Sequence, residues 1–240
     1  MTGTKAFVTP LPHRLPREIW WLINEKAAEG GSVESLFLLA RLCRDMAHIA
    51  LPLMYGKVKD NGVSDDHSLW VFSTEGNLLL WRSIIMSSLG KTLYPYCLWI
   101  KALDIGNLQF QLSRLVNEPD LRPKFYSPPL DYLEVLDKSK TSDSDDMPGS
   151  NALLFEVTNE ITKYIKSMAD QGQGLAKVVS LRDPNLGYST SSVHFPIWVS
   201  RLAGLTTLYL FEGSHIEDHI AASLVQHCPA FKHLYVSMTT

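Results

Sequence analysis

Apolar residues begin to recur at helical spacing from Leu15 onward, where Ile19, Trp20, Leu22 and Ile23 make one predicted helical face. Pro16 suits the first turn of that helix because an amide hydrogen there would go unpaired, and Glu18 complements the positive end of the helix dipole. Gly30-Gly31 ends it. A second helix is predicted from Ser32 as N-cap, carrying Leu36, Leu39 and Ala40. A third is predicted from Arg44 to Met54 with Met46, Ala47, Ile49, Ala50 and Leu53 apolar, and Pro52 is expected to end or kink it. Residues 1–12, broken by Pro10 and Pro12, read as a flexible leader, and 13–55 as a helical module.

Beyond residue 55 the pattern changes. Leu205-x-x-Leu208-x-Leu210 is followed by Phe231-x-x-Leu234-x-Val236, each anchor displaced by 26 residues. Between them Ser214 and Glu217 make a capping box, and Ile216, Ile220, Leu224 and Cys228 fall on one helical face, with Pro229 directly after. Strand, capped helix, proline and strand compose one unit of a leucine-rich repeat. The same spacing recurs at Ile100-x-x-Leu103-x-Ile105, Leu130-x-x-Leu133-x-Val135 and Ala176-x-x-Val179-x-Leu181. Helices are predicted between them from Asn77 to Leu89 and from Asn151 to Met168. The Ser/Asp-rich stretch 137–151 reads as an inserted acidic loop, and Ser142 in it, three residues before Asp145, as a candidate phosphorylation site. The expected fold class is therefore α/β: a three-helix module, then an irregular solenoid of short parallel strands alternating with helices over 56–240. The chain stops four residues after Val236, so the repeats are expected to be incomplete at the C-terminus.

Three segments carry a family resemblance: Leu15-Pro16-Arg17-Glu18-Ile19-Trp20-x-x-Ile23, Leu42-Cys43-Arg44 and Ala50-Leu51-Pro52-Leu53-Met54-Tyr55. Together they resemble the F-box as fungal F-box proteins write it, and the segment from Leu80 to Ile105 looks like the repeat that often follows the box. The stretch Lys26 to Gly31 departs from the usual short leucine-proline link. The resemblance implies a substrate receptor of an SCF ubiquitin ligase, in which the box binds a Skp-type linker, the linker binds a cullin, and the repeats bind a target protein. Carried over by position, Leu15, Pro16, Ile19, Ile23, Leu36, Leu39, Cys43 and Arg44 would face the linker or support that face. Side chains between the repeat anchors would line the concave side: Ala102, Asp104, Tyr132, Glu134, Thr207, Tyr209, Phe211, His233 and Tyr235. The competing reading is a repeat scaffold that binds a partner and never meets a cullin.

Composition narrows the alternatives. A net charge of −3, with 22 basic residues scattered among 25 acids, provides no stripe for nucleic acid or an anionic membrane. No apolar run approaches membrane-spanning length. Three widely spaced cysteines, Cys43, Cys97 and Cys228, point to a reducing compartment, cytosol or nucleus, instead of a disulfide framework. His215 and His219 are spaced to grip a metal, yet no complete ligand set surrounds them. Neither cysteine catalysis nor a phosphate loop at Gly172-Gln173-Gly174 has its required context. The expectation is a protein without catalysis or cofactor.

Overall fold

The computed structural model of the protein describes residues 15–30, 33–56, 74–115, 118–138, 148–172, 177–182, 188–210 and 218–236. The chain divides into two units, Met1–Met54 and Tyr55–Thr240.

The first unit holds α1 (Arg17–Glu29), α2 (Val33–Ala40) and most of α3 (Arg44–Gly56). Pro16 is the N-cap of α1, and its carbonyl accepts the amides of Ile19 at 3.0 Å and Trp20 at 3.3 Å. Gly30 closes the helix by donating to the Lys26 carbonyl at 3.0 Å. Pro52 does not end α3, which runs on to Gly56. The lost bond to the fourth carbonyl back is outweighed by burial of Ala50, Leu51 and Met54 around it. Leu36, Met46, Ala47 and Ile49 complete this core. The side of α1 that is buried is polar and small, Asn24 and Ala28; the Asn24 amide donates to the Trp20 carbonyl at 2.7 Å.

The second unit contains α4 (Thr74–Ser88), α5 (Tyr96–Trp99), β1 (Ala102–Asp104), α6 (Ile105–Leu115), α7 (Arg122–Phe125), α8 (Asp131–Lys138) and α9 (Pro148–Asp170). After these come β2 (Ser180–Arg182), α10 (Tyr188–Arg201), β3 (Thr207–Leu210), α11 (Asp218–His227) and β4 (His233–Val236). The four strands form one parallel sheet in the order β1-β2-β3-β4. Parallel strands need a crossover between neighbours, and helices supply it here. The α/β class is therefore observed.

Leu103, Leu181, Leu208 and Leu234 stand in register across the sheet. The first three are buried, while Leu234 on the edge strand is 44% exposed. A single carbonyl before each strand accepts two successive amides of the next one. Lys101 accepts from Val179 and Ser180, Val179 from Thr206 and Thr207, and Thr206 from Lys232 and His233, all at 2.8–3.1 Å. This repeated geometry is the structural counterpart of the 26-residue displacement, which pairs Thr207 with His233.

Two predicted strands are corrected. Leu130-x-x-Leu133-x-Val135 is no strand: Leu130 directly precedes α8, which carries the other two, and Leu130 and Leu133 are buried while Tyr132 and Val135 are exposed. The repeat near residue 178 is shifted by two positions from its predicted register. Leu181 pairs with Leu208, so Val178 and not Ala176 stands where Leu205 does. By sequence offset the third anchor position would fall on polar Asp183, outside the described residues, which hides the match in the sequence. Ile105 also leaves its predicted strand and opens α6, where the Asp104 carboxylate accepts the Asn107 amide at 2.8 Å as an N-cap. The predicted helices Asn77–Leu89 and Asn151–Met168 correspond to α4 and α9, the latter burying Leu154, Val157, Ile161 and Ile165. Residues 139–147 of the expected acidic loop, including Ser142, and the Ser214–Glu217 cap lie outside the described residues.

Arg82 on α4 ties the segment after α7 to the helices. Its guanidinium donates to the carbonyls of Phe125 at 3.1 Å, Ser127 at 3.0 Å and Pro128 at 3.0 Å. Arg82→Ala is expected to lower stability by about 2–3 kcal/mol, since three carbonyls lose a charged donor. Arg82→Lys should recover only part, because an ammonium cannot reproduce the planar fork. Thermal unfolding of both variants checks this; an unchanged midpoint for the alanine variant refutes the tie.

Candidate functional site

The residues expected to face a linker separate into two groups. Leu15, Ile19 and Ile23 are 46%, 42% and 38% exposed, and Pro16 and Arg44 are exposed as well. Leu39 and Cys43 are half-buried. Leu36 is fully buried in the core of the unit and has no surface to offer a partner. The resemblance has Leu36 facing the linker or supporting that face, and buried as it is, it can only support it. Phe37, Leu38 and Leu42 are the exposed residues there instead, joined on α1 by Trp21 and Leu22. Leu15, Ile19, Leu22 and Ile23 follow spacings of three and four and make one continuous stripe. A helix that buries Asn24 while exposing that stripe has its apolar side turned to the outside.

A groove of about 530 Å³ opens where α1 and α3 begin. Leu15, Trp20, Cys43, Met46 and Ile49 give it an apolar lining. Arg17, Arg44, Asp45 and His48 supply the polar part. Three residues from the sequence reading, Leu15, Cys43 and Arg44, are thereby brought together.

In the second unit, Asp104, Arg182, Tyr209 and Tyr235 occupy one register position on four successive strands. The Asp104 carboxylate stands 3.7 Å from the Arg182 guanidinium. That guanidinium lies 4.9 Å from the centre of the Tyr209 ring, and Tyr209 stacks on Tyr235 at 4.7 Å with 10° between planes. Such cation–π and offset ring contacts add to simple burial. His233 neighbours Tyr235 at 6.3 Å, and Thr207 is buried beside them. The sequence pointed to Tyr209, Thr207, His233 and Tyr235 but missed Arg182, whose position follows only from the shifted register. Tyr132 and Glu134 do not belong to this face. Both are on α8, where Glu134 accepts from Arg122 at 3.2 Å and burial, then the charges of Glu156 and Glu160, push the Tyr132 hydroxyl pKa up. Ala102 is at the start of β1, Asp104 is buried as a helix cap, and Phe211 lies outside the described residues.

The cysteines differ in surroundings. Burial pushes the Cys97 thiol up to about 11, partly offset by a hydrogen bond with the Ser87 hydroxyl, and pushes Cys228 up to about 11 as well. Both therefore stay protonated and unreactive near neutral pH. Maleimide at pH 8 is expected to label half-buried Cys43 quickly and the other two only after unfolding; rapid labelling of two or more thiols would contradict this. Because the two folded values lie above the ordinary thiol value of 9.0, the unfolded chain releases these protons first. Their contribution to stability is complete below pH 9 and is lost as pH rises towards 11.

Among the described residues no helix is long and apolar enough to cross a membrane. No protein-family model, curated protein or solved structure matches this chain.

Proposed function

We propose that the protein is the substrate-recognition adaptor of an SCF-type ubiquitin ligase. In this reading the first unit is an F-box that docks on a Skp-type linker, the linker joins a cullin, and the second unit is a leucine-rich repeat solenoid that grips a target protein. One observation carries the docking half: α1 buries Asn24 and Ala28 while Leu15, Ile19, Leu22 and Ile23 stay open to solvent. A unit this small hides too little surface to be robust by itself and gains from covering such a stripe with a partner.

The magnitudes are compatible with binding. Covering the open half of eight apolar side chains, Leu15 and seven on α1, α2 and the following turn, contributes about 1 kcal/mol each, giving roughly 8 kcal/mol gross. Association costs an estimated 4–15 kcal/mol, so the face needs polar contacts as well as apolar ones. On the target side, the stacked Arg182, Tyr209 and Tyr235 supply the residue types that dominate protein interfaces. A repeat scaffold unconnected to ubiquitination would use the same sheet face and leave the helical stripe idle.

Gel filtration of the chain with a purified Skp-type linker and a cullin separates the two. The adaptor reading predicts that the chain elutes with the cullin only when the linker is present. Elution of the chain apart from both proteins supports the scaffold reading instead.

A further inference from the structure

We infer that the groove at the starts of α1 and α3 receives a carboxylate-bearing side chain of a partner protein, next to a large apolar residue of the same segment. This deepens the docking reading of the first unit and rests on it, but it makes no use of which linker docks there. The groove has room for side chains at about 530 Å³, and Leu15, Trp20, Met46 and Ile49 suit an apolar residue. The charge beside that lining selects its companion. Neither the Arg17 nor the Arg44 guanidinium has an ion-pair or hydrogen-bond partner among the described residues. Among the described residues Asp45 is the one acid lining the groove, against two arginines.

An apolar partner surface pressed onto this groove would strip water from two guanidiniums and leave them unpaired, which is strongly unfavourable. A basic segment would add like-charge repulsion. A carboxylate resolves both, because an arginine fork takes it in a paired, charge-assisted geometry. Arg41 provides the internal contrast: it is in the same unit, but its guanidinium lies 5.8 Å over the Phe37 ring and does not line the groove.

The test selects a random phage-displayed peptide library on the intact chain and sequences the binders. Expected are peptides with Asp or Glu beside Leu, Ile, Met or Phe, which slow maleimide labelling of Cys43 and bind less tightly as salt is raised. Arg17→Gln with Arg44→Gln should weaken them roughly tenfold or more, with circular dichroism unchanged, while Arg41→Gln should bind as the wild type does. The inference is overturned if no peptide is selected, if the selected peptides lack acids, if they bind the double variant equally well, or if they leave Cys43 labelling unaltered. Because the probe is a peptide, a failure to bind any Skp-type linker is read separately and bears only on the identity of the partner.

Discussion

Ile19→Asp is expected to weaken capture of a Skp-type linker by roughly a hundredfold or more. The side chain lies in the middle of the open stripe, with Leu15 one turn before it and Leu22 and Ile23 one turn after. In the complex the change loses the apolar contact and forces a charge into a desolvated site, and the second effect is the larger. In the free protein the cost is small, since the residue is 42% exposed and aspartate there meets water. Binding and folding are thus separable. Val225→Asp is the matched control, because that residue of α11 is 85% exposed and belongs to neither proposed surface. Quantitative pull-down of both variants checks this; equal losses for the two would mean that the stripe is not special.

Trp81→Ala is expected to destabilise the second unit by about 3–5 kcal/mol. Trp81 is among the largest fully buried side chains of the molecule and sits on α4, which packs against α5, α6 and α9. Its indole N–H donates to the Asn107 side-chain oxygen at 2.9 Å. The alanine variant therefore leaves both a cavity and a buried acceptor without its donor, two penalties of independent origin. Trp81→Phe fills most of the space and still strands the acceptor, so its cost should fall to about 1–3 kcal/mol. Urea unfolding of the full chain distinguishes the two losses by the gap between these variants. A midpoint for Trp81→Ala within error of the wild type would remove Trp81 from the core account.

The first helix was legible because Pro16, Glu18 and Gly30 mark where it starts and stops, whereas Pro52, a stop signal by the same rule, lies inside α3. Which side faces inward was not legible, since α2 is apolar at Leu36, Phe37, Leu38 and Leu39 alike, and the choice of Leu36 as its buried residue is made by tertiary contacts with α1. In the second unit the two C-terminal strands were legible because their anchors recur with an apolar residue at all three positions. The strand at Ser180 kept only two, with Asp183 as the third, so its register and the place of Arg182 became clear only from the pairing with Leu208. The segment from Leu130 carried all three anchors and a Pro128-Pro129 turn signal before them, yet from Asp131 on it is a helix, which illustrates how little a spacing of three and two discriminates by itself. The ladder from Asp104 to Tyr235 joins residues far apart in the chain; the repeat spacing named Asp104, Tyr209 and Tyr235, and Arg182 is the member it missed.

In the proposed function the outward apolar stripe on the first unit is covered by a second protein. Calorimetric titration of the chain with a Skp-type linker at several temperatures tests it most directly, because burial of apolar surface gives a negative heat-capacity change. Expected is saturable one-to-one binding with a clearly negative heat-capacity change, and a smaller one for Leu15→Ala with Ile19→Ala. Binding with a heat-capacity change near zero, or no binding by the wild-type chain, would contradict it.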